Sequence, residues 1–580
     1  ASLFVQNRAK LAALLPAGAI AIVNANDVLP TNADGSLPLV PTQVTQPVRL
    51  VLGHPALRQL ALCSFFFSII QLSLTTYLVT YLHESVGYSL VAAGLALFKH
   101  VLGLAATPIS IAAASLALAL GVATGIVQEF QFGMNWSEYS RFVADVFGAP
   151  LALEGLVAFF AESTFIGLWV FGWGRLSRRI HLLCIWMVAF GVNASAYFII
   201  AANSWMQHPV GVEWDDTRHR PAMNNIVAVL TNNTTLAAFP HVIAGALLTA
   251  ATFVGAIGCW WMARTSWRAR QLRLVAAGGD AAVGVEVEET TAPSLVDATP
   301  EALDDDAKQL WRPVTRFALW VTIAAGIAVI LTGDLQAQIM FKQQPMKMAA
   351  AESLCVSEKG AAFSVLSIGR QNNCDNIKHV VAVPGMLSFL ADHRFDTEIR
   401  GVKELQEEYT TAFAGNPAYA GQNFAPNLFV TYWSFRAMIT WALGSVIIAL
   451  GGLWLTRRKQ VVTSRRFGLL ALWLLPTPFL ANASGWIFTE MGRQPWVVAP
   501  NWVDDLDPLR VSMLVQHGVS NNSAGLVLGS LIVFTLLYGA LGVVWFALQR
   551  RYIREGPAAP GHDEQVLENS DDDKQLSFAY

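Results

Sequence analysis

The sequence predicts an all-α polytopic membrane protein with nine transmembrane helices, its N-terminus outside, its C-terminus inside and one long extracytoplasmic loop. Three observations predict it. The chain of 580 residues is 54% hydrophobic and 14% charged, with a mean hydropathy of +0.44, where a soluble domain carries about 25% charge. Stretches almost free of charge and long enough to cross a bilayer, about 17–25 residues each, recur along the chain. Lys and Arg collect in alternate connections between those stretches. The formal net charge of −3 gives no case for a nucleic-acid partner.

In chain order, residues 1–56 are Pro- and Asn-rich and read as an irregular extracytoplasmic segment. Arg8, Lys10 and the apolar run Leu11–Val23 faintly resemble a signal peptide, against which Pro16 stands. Residues 57–128 hold two atypical spans, Leu60–Leu82 and Val101–Val127. A core block at 129–333 holds Val146–Trp173, Leu182–Ser204, Leu236–Met262 and Phe317–Gly333, with an acidic connection at 275–312 that reads as a solvated linker. The long outside loop occupies 334–427. Three further spans, Leu428–Leu455, Phe467–Phe488 and Ala524–Leu548, fill 428–555, and 556–580 reads as a disordered inside tail. Inside hydrocarbon each backbone polar group must be satisfied within its own segment, so the spans are helices.

Orientation follows from the basic residues of the short loops. They cluster after the third span (Arg175, Arg178, Arg179), the fifth (Arg264, Arg268, Arg270, Arg273), the seventh (Arg457, Arg458, Lys459, Arg465, Arg466) and the ninth (Arg550, Arg551, Arg554). Alternate loops are mixed or acidic, which puts these four ends inside. Cys63, Cys184 and Cys259 lie in apolar spans and pack there. Cys355 and Cys374 both fall in the outside loop, where oxidation is permitted, and are expected to pair.

Ionisable groups inside a span are costly and point to function. Glu154 and Glu162 share the third span; eight residues apart on an α-helix, they lie about 80° apart and roughly 12 Å along the axis. They read as relay points for protons, or as a pair of hydrogen-bonded structural acids. His241 and Met438 stand at similar depths near the outer ends of two different spans. Each alone reads as core; together they form an axial pair for a low-spin haem, with Arg436 placed for a propionate or the iron's charge. Glu490 closes the eighth span in the same outer layer, either as a salt-bridge partner of Arg493 or as a carboxylate ligand to a high-spin haem with Trp486 one turn away.

The stretch Gly121–Phe142, with 148–155, 161–168, 202–209 and Gly492–Trp496, resembles the cytochrome bd quinol oxidase subunit I family, in its actinobacterial form, over about Gly121–Arg554. The resemblance implies a haem-bearing large subunit of a terminal quinol oxidase in the bacterial cytoplasmic membrane. Such a subunit oxidises quinol at the outer face and reduces O2 to water with protons from the cytoplasm. Carried onto this chain, it implies that His241 and Met438 bind a low-spin haem b with Arg436 beside it. Glu490 would bind a high-spin haem b, with Arg493 nearby and Trp486 between the haems. Glu154, Glu162 and Ser195 would deliver protons, and Lys347 and Glu352 would contact quinol in the outside loop, which starts at Gly333 and Asp334. The implied cofactors are two b-type haems and haem d. The implied partners are a second membrane subunit and a small accessory subunit.

Residues 1–115 depart from that family. Its first span carries a His ligand to haem d; counting back from Glu129 lands near Leu74, in a span without His. His54, just beyond the outer end of that span, is the weak candidate for this ligand. His54–Leu95 resembles a span of a major facilitator transporter, and Leu11–Asp34 weakly resembles the start of a Pro-specific aminopeptidase. Two rival expectations follow: a membrane solute transporter, and a non-catalytic oxidase homologue lacking a functional haem d site.

Overall fold

The computed structural model describes Gly125 and residues 131–172, 175–277, 298–370, 374–502 and 508–555. The expected spans Leu60–Leu82 and Val101–Val127, His54 and the tail from 556 lie outside the described residues. Within them, seven helices are long and apolar enough to cross a membrane. They coincide with the last seven expected spans.

The first is built from α1 (Ser137–Leu153), a wide π-helical turn (Glu154–Phe159) and α2 (Phe160–Phe171). Helix α3 (Arg178–Gln207) returns, capped by the Ser177 hydroxyl accepting from the Ile180 N–H. A small hairpin, β1 (Val212–Asp215) with β2 (Arg220–Met223), precedes the long α4 (Asn233–Ala277). Helix α5 (Arg312–Gln343) follows the acidic connection. Next come α8 (Leu428–Leu455), the broken pair α9 (Arg465–Leu474) and α10 (Thr477–Arg493), and α11 (Ala524–Glu555). Between α5 and α8 lie α6 (Pro345–Glu352), the hairpin β3 (Phe363–Arg370) with β4 (Asp375–Val383), and α7 (Val402–Ala412).

Helix α4 is the axis of the bundle, and small residues let its neighbours approach. A Cβ on Gly258 would sit 1.9 Å from Thr315 Oγ1 of α5, and one on Gly468 of α9 would sit 2.9 Å from Ala263 Cβ. Helix α11 is the opposite case: its most apolar window is entirely unburied. At the basic ends, side chains cap backbone carbonyls. Arg312 Nη2 and Arg316 Nη1 donate to Thr456 O (2.9 and 3.1 Å), and Arg264 Nη1 to Arg554 O (3.2 Å). Cations thus sit on the negative ends of α8 and α11.

The sequence placed the start of the outside loop at Asp334, and the structure corrects this: α5 runs on to Gln343. Above the apolar stretch the helix turns polar rather than ending. Gln338 Nε2 donates to Asp334 Oδ2 (2.9 Å) one turn below it, and His393 Nε2 meets the same oxygen at 3.0 Å. Hydropathy registers the edge of the lipid, not the end of a helix. The rest of the loop is a folded cap with its own core, in which Tyr409, Phe413, Tyr419 and Phe424 pack on Trp496. Cys355 and Cys374 form a disulfide that ties the segment after α6 to the start of β4.

Candidate functional site

Helix α10 organises the outer layer. Its Asn482 approaches Gly245 of α4, one turn from His241; its Gly485, three residues on and on the same face, approaches Met438 of α8, whose Sδ lies 3.0 Å from where a Cβ would be. His241 and Met438 therefore border one face of α10. On α5, Thr332 Oγ1 donates to Ala328 O (2.7 Å), so at 3.1 Å it accepts the N–H of His241 Nδ1. That bond selects the tautomer and leaves the lone pair on Nε2 for a metal. Gly333 beside the ring keeps the space clear, the His241 Cε1 being 3.3 Å from a built Cβ. A neutral imidazole nitrogen and a thioether sulfur are a donor set that would suit a low-spin haem iron.

One helical turn beyond Trp486, which is 44% exposed, Glu490 forms an ion pair with Arg493 and accepts from Asn203 Nδ2 of α3 (3.0 Å). Arg493 is buried, and its Nε and Nη1 have no partner among the described residues. Buried donors left open beside a carboxylate are what an additional anionic group, such as a propionate, would satisfy.

Above this layer lies α6, buried along its length. Lys347 and Glu352, five residues apart, face different sides of it. Lys347 Nζ donates to Gln207 Oε1 (2.7 Å), which also accepts from Gln344 Nε2 (2.7 Å). Burial, helped by the Arg493 cation and opposed by Glu490, holds the Lys347 ammonium down at about 7. Lys347 borders a small, partly open cleft between cap and bundle, lined also by Gln344, Arg493, Tyr409, Phe424 and Trp496.

Glu352 points the other way, onto Arg436 (Nη2 to Oε2 2.6 Å). Burial raises its pKa, while Arg436 and the Ser364 N–H pull it back. Arg436 also donates to the carbonyls of Ala351 and Ser364 and lies 4.0 Å above the Tyr432 ring. Arg436 thus joins the outer cap to the helix that carries Met438.

The third-span acids sit apart from this layer. Glu154 opens the π-helical turn and accepts from Ser195 Oγ (2.7 Å). The turn takes up about one extra residue, so the separation of Glu154 and Glu162 behaves as seven residues and brings them from about 80° to about 20° apart. Glu162 is buried, and neither carboxyl oxygen has a hydrogen-bond partner among the described residues. Gly191 of α3 packs against it, a built Cβ falling 3.0 Å from both Ala158 O and Glu162 Cβ.

Asn203, Gln207, Thr332 and Ser364 were not singled out from sequence. Asn203 and Gln207 lie in the 202–209 motif, where an amide closing an apolar span was the available signal. Thr332 and Ser364 carried none.

Residues 104–557 match the family model for cytochrome bd terminal oxidase subunit I, starting before the motif at Gly121. The chain is 38% identical over 450 residues to "Cytochrome bd ubiquinol oxidase subunit 1" of Bacillus subtilis (strain 168), covering 77% of this chain and 83% of that protein. It is 32% identical over 492 residues to "Cytochrome bd-II ubiquinol oxidase subunit 1" of Escherichia coli (strain K12), covering 76% and 86%. The fold is similar to that of the bd oxidase from Geobacillus thermodenitrificans, with a TM-score of 0.60 at 20% identity over 85% of this chain and 97% of that one. Seven apolar helices, a His–Met–Glu outer layer and a family match across most of the sequence agree: the chain belongs to the cytochrome bd terminal oxidase subunit I family, as a multi-pass membrane protein.

Proposed function

We propose that this chain is the large subunit of an electrogenic quinol:O2 oxidoreductase in the bacterial cytoplasmic membrane, working with a second membrane subunit and a small accessory subunit. The observation that carries it is the outer layer around α10, where His241, Met438 and the Glu490–Arg493 pair lie beneath a folded cap. Family membership over 104–557 favours this reading over the transporter one, whose resemblance lies at 54–95, outside the matched residues.

His241 Nε2 and Met438 Sδ hold the low-spin haem b, with Arg436 offsetting charge. Glu490 would hold the high-spin haem b, with Arg493 as the cation for its propionates and Trp486 as the aromatic side chain for electron transfer. The haems supply one-electron redox chemistry. The chain's own residues position quinol and move protons: Lys347 and Glu352, on two sides of α6, are the quinol-contacting pair, Lys347 presenting a donor from the cleft side and Glu352 accepting a hydroxyl proton on the Arg436 side. Protons for O2 reduction rise from the inside through Glu162, Glu154 and Ser195, which the π-helical turn aligns. The arginines gathered at the opposite ends of the helices favour the inside assignment of that face. The exposed apolar face of α11 is free for lipid or the second subunit. The haem d ligand lies outside the described residues, with His54 its candidate.

The test is a dithionite-reduced minus oxidised spectrum of the assembled complex, with oxygen uptake on reduced quinol. Bands of b-type haem and of haem d, with turnover, support the whole reading. Haem b bands without haem d and without oxygen uptake would leave a non-catalytic homologue, and a colourless preparation would sink the proposal.

A further inference from the structure

The hairpin β3–β4 carries a hydrogen-bonded chain from the buried Glu352 toward the outer surface. Ser364 is its hub. Its N–H donates to Glu352 Oε2 (3.1 Å), and its carbonyl accepts from Arg436 Nε (2.9 Å) and from Tyr432 OH (3.2 Å). The Ser364 hydroxyl meets the Ser367 hydroxyl (2.5 Å), and both lie within reach of His379 Nδ1, at 2.9 and 2.7 Å. Ser364 and Ser367 are each 1% exposed, whereas His379 is exposed on β4. Two buried serine hydroxyls in a strand, both turned to one imidazole nitrogen, are not needed to hold a hairpin together. A valine or a threonine at either position would serve the strand as well.

One donor order that fits these distances leads outward. With Tyr432 donating to the Ser364 carbonyl, Ser364 Oγ donates to Ser367 Oγ and Ser367 Oγ to His379 Nδ1. The imidazole then keeps its proton on Nε2. Every hydroxyl points outward, and the chain ends on a base with access to water.

We infer that Ser364, Ser367 and His379 form the exit by which protons taken from quinol at Glu352 reach the outer aqueous phase. This rests on the quinol-oxidising reading above. For each proton, a quinol O–H bond breaks and the Glu352 carboxylate gains it, while the electrons leave to the oxidase and ultimately to O2. The carboxyl then protonates Ser364 Oγ, reached by rotation about the Ser364 Cα–Cβ bond or through one water. Ser364 passes its own proton to Ser367, and Ser367 passes its own to His379 Nδ1. The imidazolium loses its Nε2 proton to water; the cycle closes when the ring, which meets water, exchanges back to its Nε2–H tautomer and the hydroxyls turn back.

The charges facing His379 are Glu358, which stabilises the imidazolium, and Arg436 of α8, which opposes it. Lys378 neighbours it on β4, and Glu352 lies behind the serines. Partial burial of the ring on the side that meets the serines, together with Arg436, outweighs Glu358, so its pKa is lowered and the neutral ring is favoured.

The experiment uses the full complex in membranes, with His379→Gln and Ser367→Ala compared with the parent for oxygen uptake on reduced quinol across pH. Each variant is expected to lose about 10²-fold in kcat, the low end of what a positioned proton-transfer group contributes. KM and the reduced-minus-oxidised haem spectrum should stay unchanged. The parent's fall in rate toward acid pH, as His379 protonates, should be absent in His379→Gln, and a small diffusible base at high concentration should restore part of its rate. Parent-like turnover and pH profile in both variants would overturn the exit. A loss of haem bands together with rate, unrescued by base, would also overturn it, by marking these residues as structural. A parent that did not oxidise quinol would instead sink the reading on which the exit rests.

Discussion

Two sets of ionisable groups, each with one buried and one half-buried carboxyl, occupy this molecule and are treated in opposite ways. In the outer layer each carboxylate has a cation: Glu352 with Arg436 at 2.6 Å, and Glu490 with Arg493. In the third span Glu154 has a serine hydroxyl, and Glu162 has no hydrogen-bond partner among the described residues. A charge paired in a dry environment is fixed, because separating it from its partner exposes the full desolvation cost. A carboxyl without a cation is neutral at little cost and can take up and give away a proton as its neighbours change. The outer layer thus holds its resting charges in pairs, which Glu352 leaves only when it takes the proton of the proposed quinol reaction, whereas Glu162 has no such pairing among the described residues and is free to exchange its proton.

The largest effect is expected from breaking the fixed set. Arg436→Met leaves Glu352 buried and unpaired, and single removal from a buried pair costs about 3–5 kcal/mol. Thermal unfolding of the purified complex should reveal a destabilised outer cap, and Glu352→Gln in the same background should restore much of the loss. An Arg436→Met protein as stable as the parent would show that the pair is not what locks the cap to α8.

Glu162→Gln tests the movable set. The amide has nearly the same shape and no charge, so unfolding should shift little, while oxygen uptake falls by about 10²-fold if the carboxyl carries protons. Unchanged turnover would remove Glu162 from the proton path. Gly191→Ala sharpens the same point through packing, because its methyl would press on Ala158 O and Glu162 Cβ across the π-helical turn. Overpacking of this kind costs about 1–3 kcal/mol, and the strain should fall on turnover as well as on stability.

The seven helices around these groups were legible because a bilayer demands long apolar runs, and Leu428–Leu455 shares its bounds with the helix. The cysteine pair was legible from compartment alone. The polar partners were not. Glu352 and Arg436 are 84 residues apart, and nothing local to either announces the other. Glu154 and Glu162 were visible as intramembrane acids, but the π-helical turn between them, which packs against Gly191 of α3, leaves no mark in the periodicity. Asp334 was taken for the start of a loop because charge ends a hydropathy window, although helical hydrogen bonding continues above the lipid. Arg493 was foreseen beside Glu490, yet its open donors appear only once burial is known.

Lys347 is the smallest and most discriminating case, since it is a buried cation in the fixed layer without a carboxylate of its own. Its pKa is about 7 in the folded protein, below its ordinary value of 10.5. Between those two pH values the unfolded chain binds a proton that the folded chain does not, so this residue makes stability rise with pH across the window. Below about 7 both states are protonated and the contribution stops changing. Lys347→Met should remove that slope when thermal inactivation is followed at pH 7, 8 and 9, and should stabilise the protein most at the acid end. If the parent shows no slope that the substitution removes, Lys347 is already neutralised by Glu490, and it belongs with the paired charges rather than beside them.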